Sequence, residues 1–355
     1  DQVDALASSL DGEVFGPDAP EYDGAREIWN AMIDRRPGLV VECASSGDVR
    51  AAVGFGKSAG LLVSVLGAGH NIAGNAVSDG GLLISLKNMK SVEVDAAGKR
   101  AQVQPGVTLG ELDKATQAFG LATPVGINST TGIAGLTLGG GFGWLSRKHG
   151  LTADNLISAE VITANGEQLM ASESQNPDLF WGIRGGGGNF GIVTSFEFEL
   201  HEVGPEVLSG LIVHPFSEAG EVLRYYREFA AQAPDELTVW VVMRKAPPLP
   251  FLPEEVHGTE VLILAALYAG AMADGEKALA PLREFGTPIA DVISPHQFTG
   301  FQAAFDPLLT PGVRNYWKSH DFRELSDEAL DTMIRFAANL PGPHTEVFIA
   351  QMGGA

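Results

Sequence analysis

Short apolar runs divided by glycine dominate the first 200 positions, and their spacing predicts alternating helix and strand. Residues 46–59 have Ser45 or Ser46 as N-cap, Asp48 in the first turn and Gly60 at the stop, the signature of a helix. Residues 25–34 also fit helical spacing. Leu61–Leu66 and Leu82–Leu86 read as buried strands, and Val92–Asp95 and Arg100–Gln104 flank the hairpin-like turn Ala-Ala-Gly-Lys. In 108–119, Leu109, Leu112, Ala115 and Ala118 share one face and Gly120 ends the pattern. Ile157–Thr163 and Gln168–Ala171 enclose Asn165-Gly166, a strong hairpin signal. Pro177 opens a short helix, and Ile192–Leu200 alternates through Phe196, Phe198 and Leu200.

The pattern changes near Pro205. Leu208–Val213, Leu237–Met243 and Val261–Tyr268 read as strands, with helical patterns at 217–231, 274–285 and 326–338. The fold class expected is α+β, its second half an antiparallel sheet covered by helices on one side. Residues 247–253 form a proline-rich loop, and no internal repeat is seen. The apolar strand pattern Glu346–Gln351 lies close to the last residue, which suggests that a carboxy-terminal portion follows in the natural protein.

The 44 glycines change this picture, because they cluster at 67–81, 132–143 and 182–191. In the first cluster a strand empties into Gly67-Ala-Gly69 and then His70. Glycine permits positive φ and lets bare N–H groups approach a ligand, which suits a phosphate or pyrophosphate. His70 then stands where a bound group passes, as nucleophile, base or ligand; an ordinary strand-to-strand turn with an exposed histidine is the other reading. In the second cluster Gly139, Gly140 and Gly141 are consecutive and Gly143 follows Phe142, an arrangement explained by close approach of a large flat or phosphorylated cofactor. Common templates fail. Ile72 occupies the third glycine position of G-x-G-x-x-G and no helix pattern follows, while a P-loop and an H-E-x-x-H are absent.

Composition narrows the function classes. With 355 residues there is room for two domains, and a net charge of −21 disfavours nucleic acid and anionic membranes as partners. Cys43 stands alone, excluding internal disulfides and cysteine-based metal clusters, and no residues pair as a metal motif. No run reaches the length of a membrane helix; the sequence opens on Asp1 without a methionine or signal-like segment, so processing can hide the true start, and a cytoplasmic location is the default expectation.

Three ordered motifs carry a resemblance: Gly67-Ala-Gly-His70; the run Gly132-Ile-Ala-Gly-Leu-Thr-Leu-Gly-Gly-Gly-Phe-Gly continuing to Asn155; and Asp178-Leu-Phe-Trp-Gly-Ile-Arg-Gly-Gly-Gly-Gly-Asn-Phe-Gly-Ile-Val-Thr194. Over about residues 36–202 the chain resembles the berberine-bridge-enzyme-like flavoprotein oxidases of the PCMH-type, or vanillyl-alcohol-oxidase, fold. The likeness is weaker over 206–355. It implies a two-part FAD-binding domain over 1–203 and a substrate domain over 204–355. It further implies FAD bonded through its 8α-methyl to His70, with Gly67, Ala68, Gly69, Asn71 and Ile72 around the pyrophosphate. Thr130, Thr131, Gly135 and the glycines at 139, 140, 141 and 143 would line the ribityl chain and ring system. Asn155 would complete the pocket, and the backbone of Ile192 and Val193 would meet the adenine. Many relatives hold FAD a second time through a cysteine whose matching residue here is Asn128, so a single covalent link is expected. Relatives often carry arginine at the Leu66 position. Thr131 falls where the family tunes access of dioxygen, leaving oxidase and dehydrogenase behaviour both open. The implied reaction is oxidation of a C–OH or C–N centre of a small molecule (alcohol, sugar, alkaloid or amine), with dioxygen as acceptor. Tyr316 and Lys318 are candidates for the base, against a reading as a packed aromatic and a surface lysine. A flavin-bearing or flavin-free protein without catalysis is the alternative.

Overall fold

The computed structural model describes residues 2–355. By its contacts the chain divides into two compact units. One runs to Gly143 and continues through Gly150–Glu202 and Gln302–Lys318; the other comprises Trp144–His149, Val203–Phe301 and Ser319–Ala355.

Two sheets build the first unit. In one, Leu39–Glu42, Leu82–Ser85 and Val63–Leu66 run parallel, with Glu13–Phe15 antiparallel at the edge. The helix Ser46–Ser58 packs Val49, Ala52 and Val53 against Val41, Leu82 and Ile84. Its start is fixed chemically. The Ser45 side chain accepts from the Asp48 N–H, and the buried Asp48 carboxylate takes the N–H groups of Asp11, Gly12 and Ala44 at 2.9–3.0 Å. Such caps contribute about 1 kcal/mol each. The other sheet is antiparallel, ordered Val92–Asp95, Arg100–Val103, Ile192–Glu199, Leu156–Ile162, Gln168–Ser172. Phe196 and Phe198 point into a core shared with Leu109 and Leu112 of the helix Leu109–Gln117, which starts in a Thr108–Glu111 capping box.

The expected helix over 25–34 does not form. Helix Tyr22–Arg26 ends when Glu27 turns extended (φ −65°, ψ 136°), and residues beyond it are held by long-range hydrogen bonds instead of an i→i−4 ladder. The chain from 27 to 34 is therefore available to the site described below.

The second unit is an antiparallel sheet around Glu206–Pro215, Glu260–Tyr268, Leu237–Lys245 and Glu346–Ile349, with short strands Ala290–Asp291 and Ser294–Gln297 beside the first of these. Helices Ala219–Ala230, Met272–Arg283 and Asp327–Ala337 supply Val222, Leu223, Tyr226, Leu279 and Leu330 to its core. The opposite face also has cover: Ala246 and, from the proline-rich loop that follows it, Leu252 pack on Val242, Val261 and Ile263. The turn Trp144–His149 is anchored here, with the buried Arg147 guanidinium donating to the Leu237 carbonyl at 2.6 Å and Lys148 to Ala269 at 2.7 Å.

Candidate active site

The strand Val63–Leu66 ends at Leu66, fully buried, and the glycine turn begins at the next residue. Gly69 has φ +81°, and a Cβ there would lie 3.3 Å from the Ile28 Cα, so a side chain would be strained by conformation and crowded by its neighbours. Its carbonyl accepts from the Trp29 N–H at 3.1 Å. The carbonyl of Asn71 accepts from Gly74 and its side chain from Asn75, while the Ile72 carbonyl accepts from the Asn30 amide at 2.9 Å. The carbonyls of this turn are thus well used and its donors are not. Among the described residues, the six consecutive N–H groups from Gly67 to Ile72 donate to nothing in the protein. Buried or half-buried backbone N–H groups are normally paired, so a row of six without acceptors is suited to an anionic ligand.

A second loop touches the first. A Cβ on Gly132 would fall 2.8 Å from that of Ala68, so Gly132 is what lets residues 128–132 lie against the turn. His70 is then gripped from the second loop: Nε2 lies 2.9 Å from the Thr130 hydroxyl and Nδ1 lies 3.3 Å from the Thr131 hydroxyl. The Trp29 indole stacks on the imidazole with centroids 5.1 Å apart. Burial lowers the His70 pKa to about 4, against the opposing pull of the Asp306 carboxylate and the Thr130 backbone, so the ring is neutral at physiological pH.

Residues from within the second half of the sequence, Gln302–Lys318, complete this unit. Asp306 accepts from the Ser129 N–H at 2.9 Å and from its hydroxyl, and the Leu309 carbonyl accepts from the Asn128 amide. Gly312 donates to the Trp29 carbonyl and Ala31 to that of Val313. Asn30, 2% exposed, is the hub. Its amide donates to Ile72 and Asn315, and its oxygen accepts from Met32 and Asn315. Trp317 packs edge-on against Trp29 at 5.6 Å.

The glycines of 135–143 divide by cause. A Cβ at Gly141 would be driven into the Thr152 side chain and one at Gly143 onto the Val125 carbonyl, so both are demanded by the fold itself. Gly135 has open space beside it, Gly139 has only ordinary contacts, and Gly140 takes φ +103° with its carbonyl accepting from Ala153. Asn155 is buried, with its amide donating to the Leu151 carbonyl and its oxygen 2.6 Å from His201 Nε2; both polar atoms serve the protein. Ile192 and Val193 are buried at the start of the central antiparallel strand, opposite Ile162 and Val161. Tyr316 is 74% exposed, with the Lys318 ammonium 5.4 Å from its ring, and neither makes a hydrogen bond or ring contact to His70. From that segment it is Trp317 that reaches the His70 stack. Trp29, Asn30 and Asp306 went unnoticed in the sequence because none belongs to a glycine motif.

These features fit FAD: an unpaired N–H row for a pyrophosphate, a neutral imidazole beside it, and an open glycine, Gly135, in the neighbouring loop. Residues 37–172 match the FAD-binding domain family. The chain is 34% identical over 317 residues to the (R)-6-hydroxynicotine oxidase of Paenarthrobacter nicotinovorans, covering 88% of this chain and 67% of that protein. A crystal structure of 6-hydroxy-D-nicotine oxidase from Arthrobacter nicotinovorans superposes with a TM-score of 0.76 at 33% identity, over 83% of this chain and 64% of that one. The fold of Physcomitrella patens BBE-like 1 matches with a TM-score of 0.85 at 24% identity, over 99% of this chain and 77% of that one. The chain thus spans about two thirds to three quarters of the length of these relatives. Motifs, fold and these likenesses agree that the chain belongs to the berberine-bridge-enzyme-like family of FAD-linked oxidoreductases.

Proposed function

We propose that this chain is an FAD-dependent oxidoreductase that carries its flavin on His70 and oxidises a C–OH or C–N centre of a small molecule, with dioxygen as the electron acceptor. The observation that carries the reading is the conjunction of six unpaired N–H groups with a neutral imidazole held at both nitrogens. When bound, FAD would supply a two-electron acceptor and, at its 8α-methyl, a carbon for a ring nitrogen of His70 to bond, the methyl and the imidazole each giving up one proton and the two electrons passing through the flavin to dioxygen, which leaves as hydrogen peroxide.

The protein's own part is positioning. Gly67, Ala68, Gly69, Asn71 and Ile72 offer backbone donors to the pyrophosphate without spending a cationic side chain. Thr130, Thr131 and Trp29 fix the plane of the imidazole. Gly135, Gly139 and Gly140 leave backbone bare along the ring system, while Gly141, Gly143 and Asn155 shape the loop that holds them. The backbone of Ile192 and Val193 remains the candidate for the adenine end. Tyr316 and Lys318 are candidates for taking the substrate proton, since both extend freely from the segment whose Trp317 packs on Trp29.

The test is the fate of the yellow colour on acid precipitation. Flavin should remain with the denatured protein, a His70 peptide should carry the FAD mass, and His70→Ala should release all flavin to the supernatant. Colour retained by denatured His70→Ala protein refutes the attachment site.

A further inference from the structure

The hydrogen bonds around His70 settle which of its nitrogens carries the proton. Asn128 is buried, and its amide orientation is fixed by two obligatory partners: its nitrogen donates to the Leu309 carbonyl at 3.2 Å, and its oxygen accepts from the Thr130 N–H at 3.0 Å. That same oxygen lies 2.5 Å from the Thr130 hydroxyl oxygen. Two oxygens so close require a hydrogen between them, and the amide oxygen has none to give, so the Thr130 hydroxyl donates to Asn128. A hydroxyl has one hydrogen. Toward His70 Nε2, 2.9 Å away, the Thr130 oxygen can therefore only accept. Nε2 must bear the ring hydrogen, and Nδ1 presents its lone pair. The opposite tautomer would set the lone pair of Nε2 against that of Thr130.

We propose that Asn128 is a positioning residue for flavin attachment: through the Thr130 hydroxyl it holds the proton of neutral His70 on Nε2 and leaves Nδ1 as the nucleophilic atom. The inference rests on the attachment reading above and adds a residue that reaches the imidazole through the Thr130 hydroxyl. Among the described residues Nδ1 meets only the Thr131 hydroxyl, at 3.3 Å, the looser of the two contacts and one that a single χ1 rotation releases. Burial keeps the ring neutral at physiological pH, so the choice between tautomers is a real one there. The charged group that acts on the ring, Asp306, favours protonation and is itself engaged by the Ser129 N–H.

The decisive experiment reads the ring before any flavin is bound. Full-length protein labelled with 15N-histidine, produced without flavin, should give a pyrrole-type resonance for His70 Nε2 and a pyridine-type resonance for Nδ1, assigned by their loss in His70→Ala. Asn128→Ala should free the Thr130 hydroxyl and move population to the other tautomer. Asn128→Asp, which retains an acceptor facing Thr130, should restore the wild-type pattern. On adding FAD, Asn128→Ala should acquire covalent flavin about tenfold more slowly, the effect of one lost hydrogen bond, while Asn128→Asp recovers most of the rate. Thr130→Val keeps the Asn128–Leu309 bond and tests the relay should the alanine variant fold poorly. A pyridine-type signal at Nε2 in the wild type, or ring signals unmoved in both Asn128→Ala and Thr130→Val, overturns the proposal. Covalent flavin in His70→Ala would instead overturn the attachment reading, and the ring signals, recorded without flavin, distinguish the two failures.

Discussion

Replacing Asp113 with asparagine should stabilise the protein strongly at pH 8 and much less at pH 5. Asp113 lies on the helix Leu109–Gln117, is 3% exposed, and receives a hydrogen bond from the Gln302 amide at 3.1 Å. Burial without a cation raises its pKa from the ordinary 3.8 to about 7, the Gln302 bond opposing only in part. Between those values the folded state holds the proton more tightly than the unfolded one, so stability falls as pH rises through this window and the loss saturates above pH 7. The same two values give a charge cost of about 2 kcal/mol at pH 5 and about 4 kcal/mol at pH 8. Asparagine abolishes the titration. It keeps an oxygen for Gln302 and brings an N–H donor that the carboxylate lacks, and the Gln302 carbonyl oxygen is buried without a partner. Urea unfolding of the two proteins at both pH values should show the advantage of Asp113→Asn growing by roughly 2 kcal/mol from pH 5 to pH 8. An equal difference at both pH values, or a variant less stable at pH 8, refutes the assignment of a neutral acid to this site.

Gly143→Ala, whose Cβ would land on the Val125 carbonyl, should lower stability by roughly 3 kcal/mol. Gly135→Ala, with open space and a helical conformation, should leave the urea midpoint unchanged or raised while reducing FAD retention; equal midpoints for the two variants would remove the division of these glycines into structural and ligand-facing. The rate at which His70 acquires covalent flavin should be flat from pH 5.5 to 8, because the nucleophilic neutral ring is lost only as pH falls toward about 4. An imidazole of ordinary pKa would slow about tenfold over that range, and such a drop in a stopped-time assay would show the ring to be solvated.

Elements that announce themselves locally were legible. Ser45 and Gly60 bracket one helix, Thr108 and Glu111 start another, and the alternation at Phe196 and Phe198 marks a strand that the structure contains. The glycine turn could likewise be read as a donor row next to His70, since strand, glycines and histidine are contiguous. What failed was contextual. Residues 25–34 have helical spacing, yet Ile28 and Trp29 are buried by the Gly69 turn and by Gly312, partners the sequence does not indicate. Gly141 and Gly143 suggested a ligand because the neighbours that exclude their side chains, Thr152 and Val125, are visible only in three dimensions. The segment 302–318 shows no periodicity because side-chain and backbone hydrogen bonds hold it, through Asp306, Leu309 and Asn315, instead of an apolar face.

The bond from Ser129 to Asp306 spans 177 residues of chain. On the ribosome, the loop bearing Thr130 and Thr131 emerges long before the carboxylate that fastens it, and all but the last strand of the second unit's sheet must be made in between. The histidine grip consequently matures late in synthesis, which ties the timing of cofactor capture to completion of a stretch far downstream. An amino-terminal fragment stopping near residue 203 would contain every glycine motif and still lack the fastening.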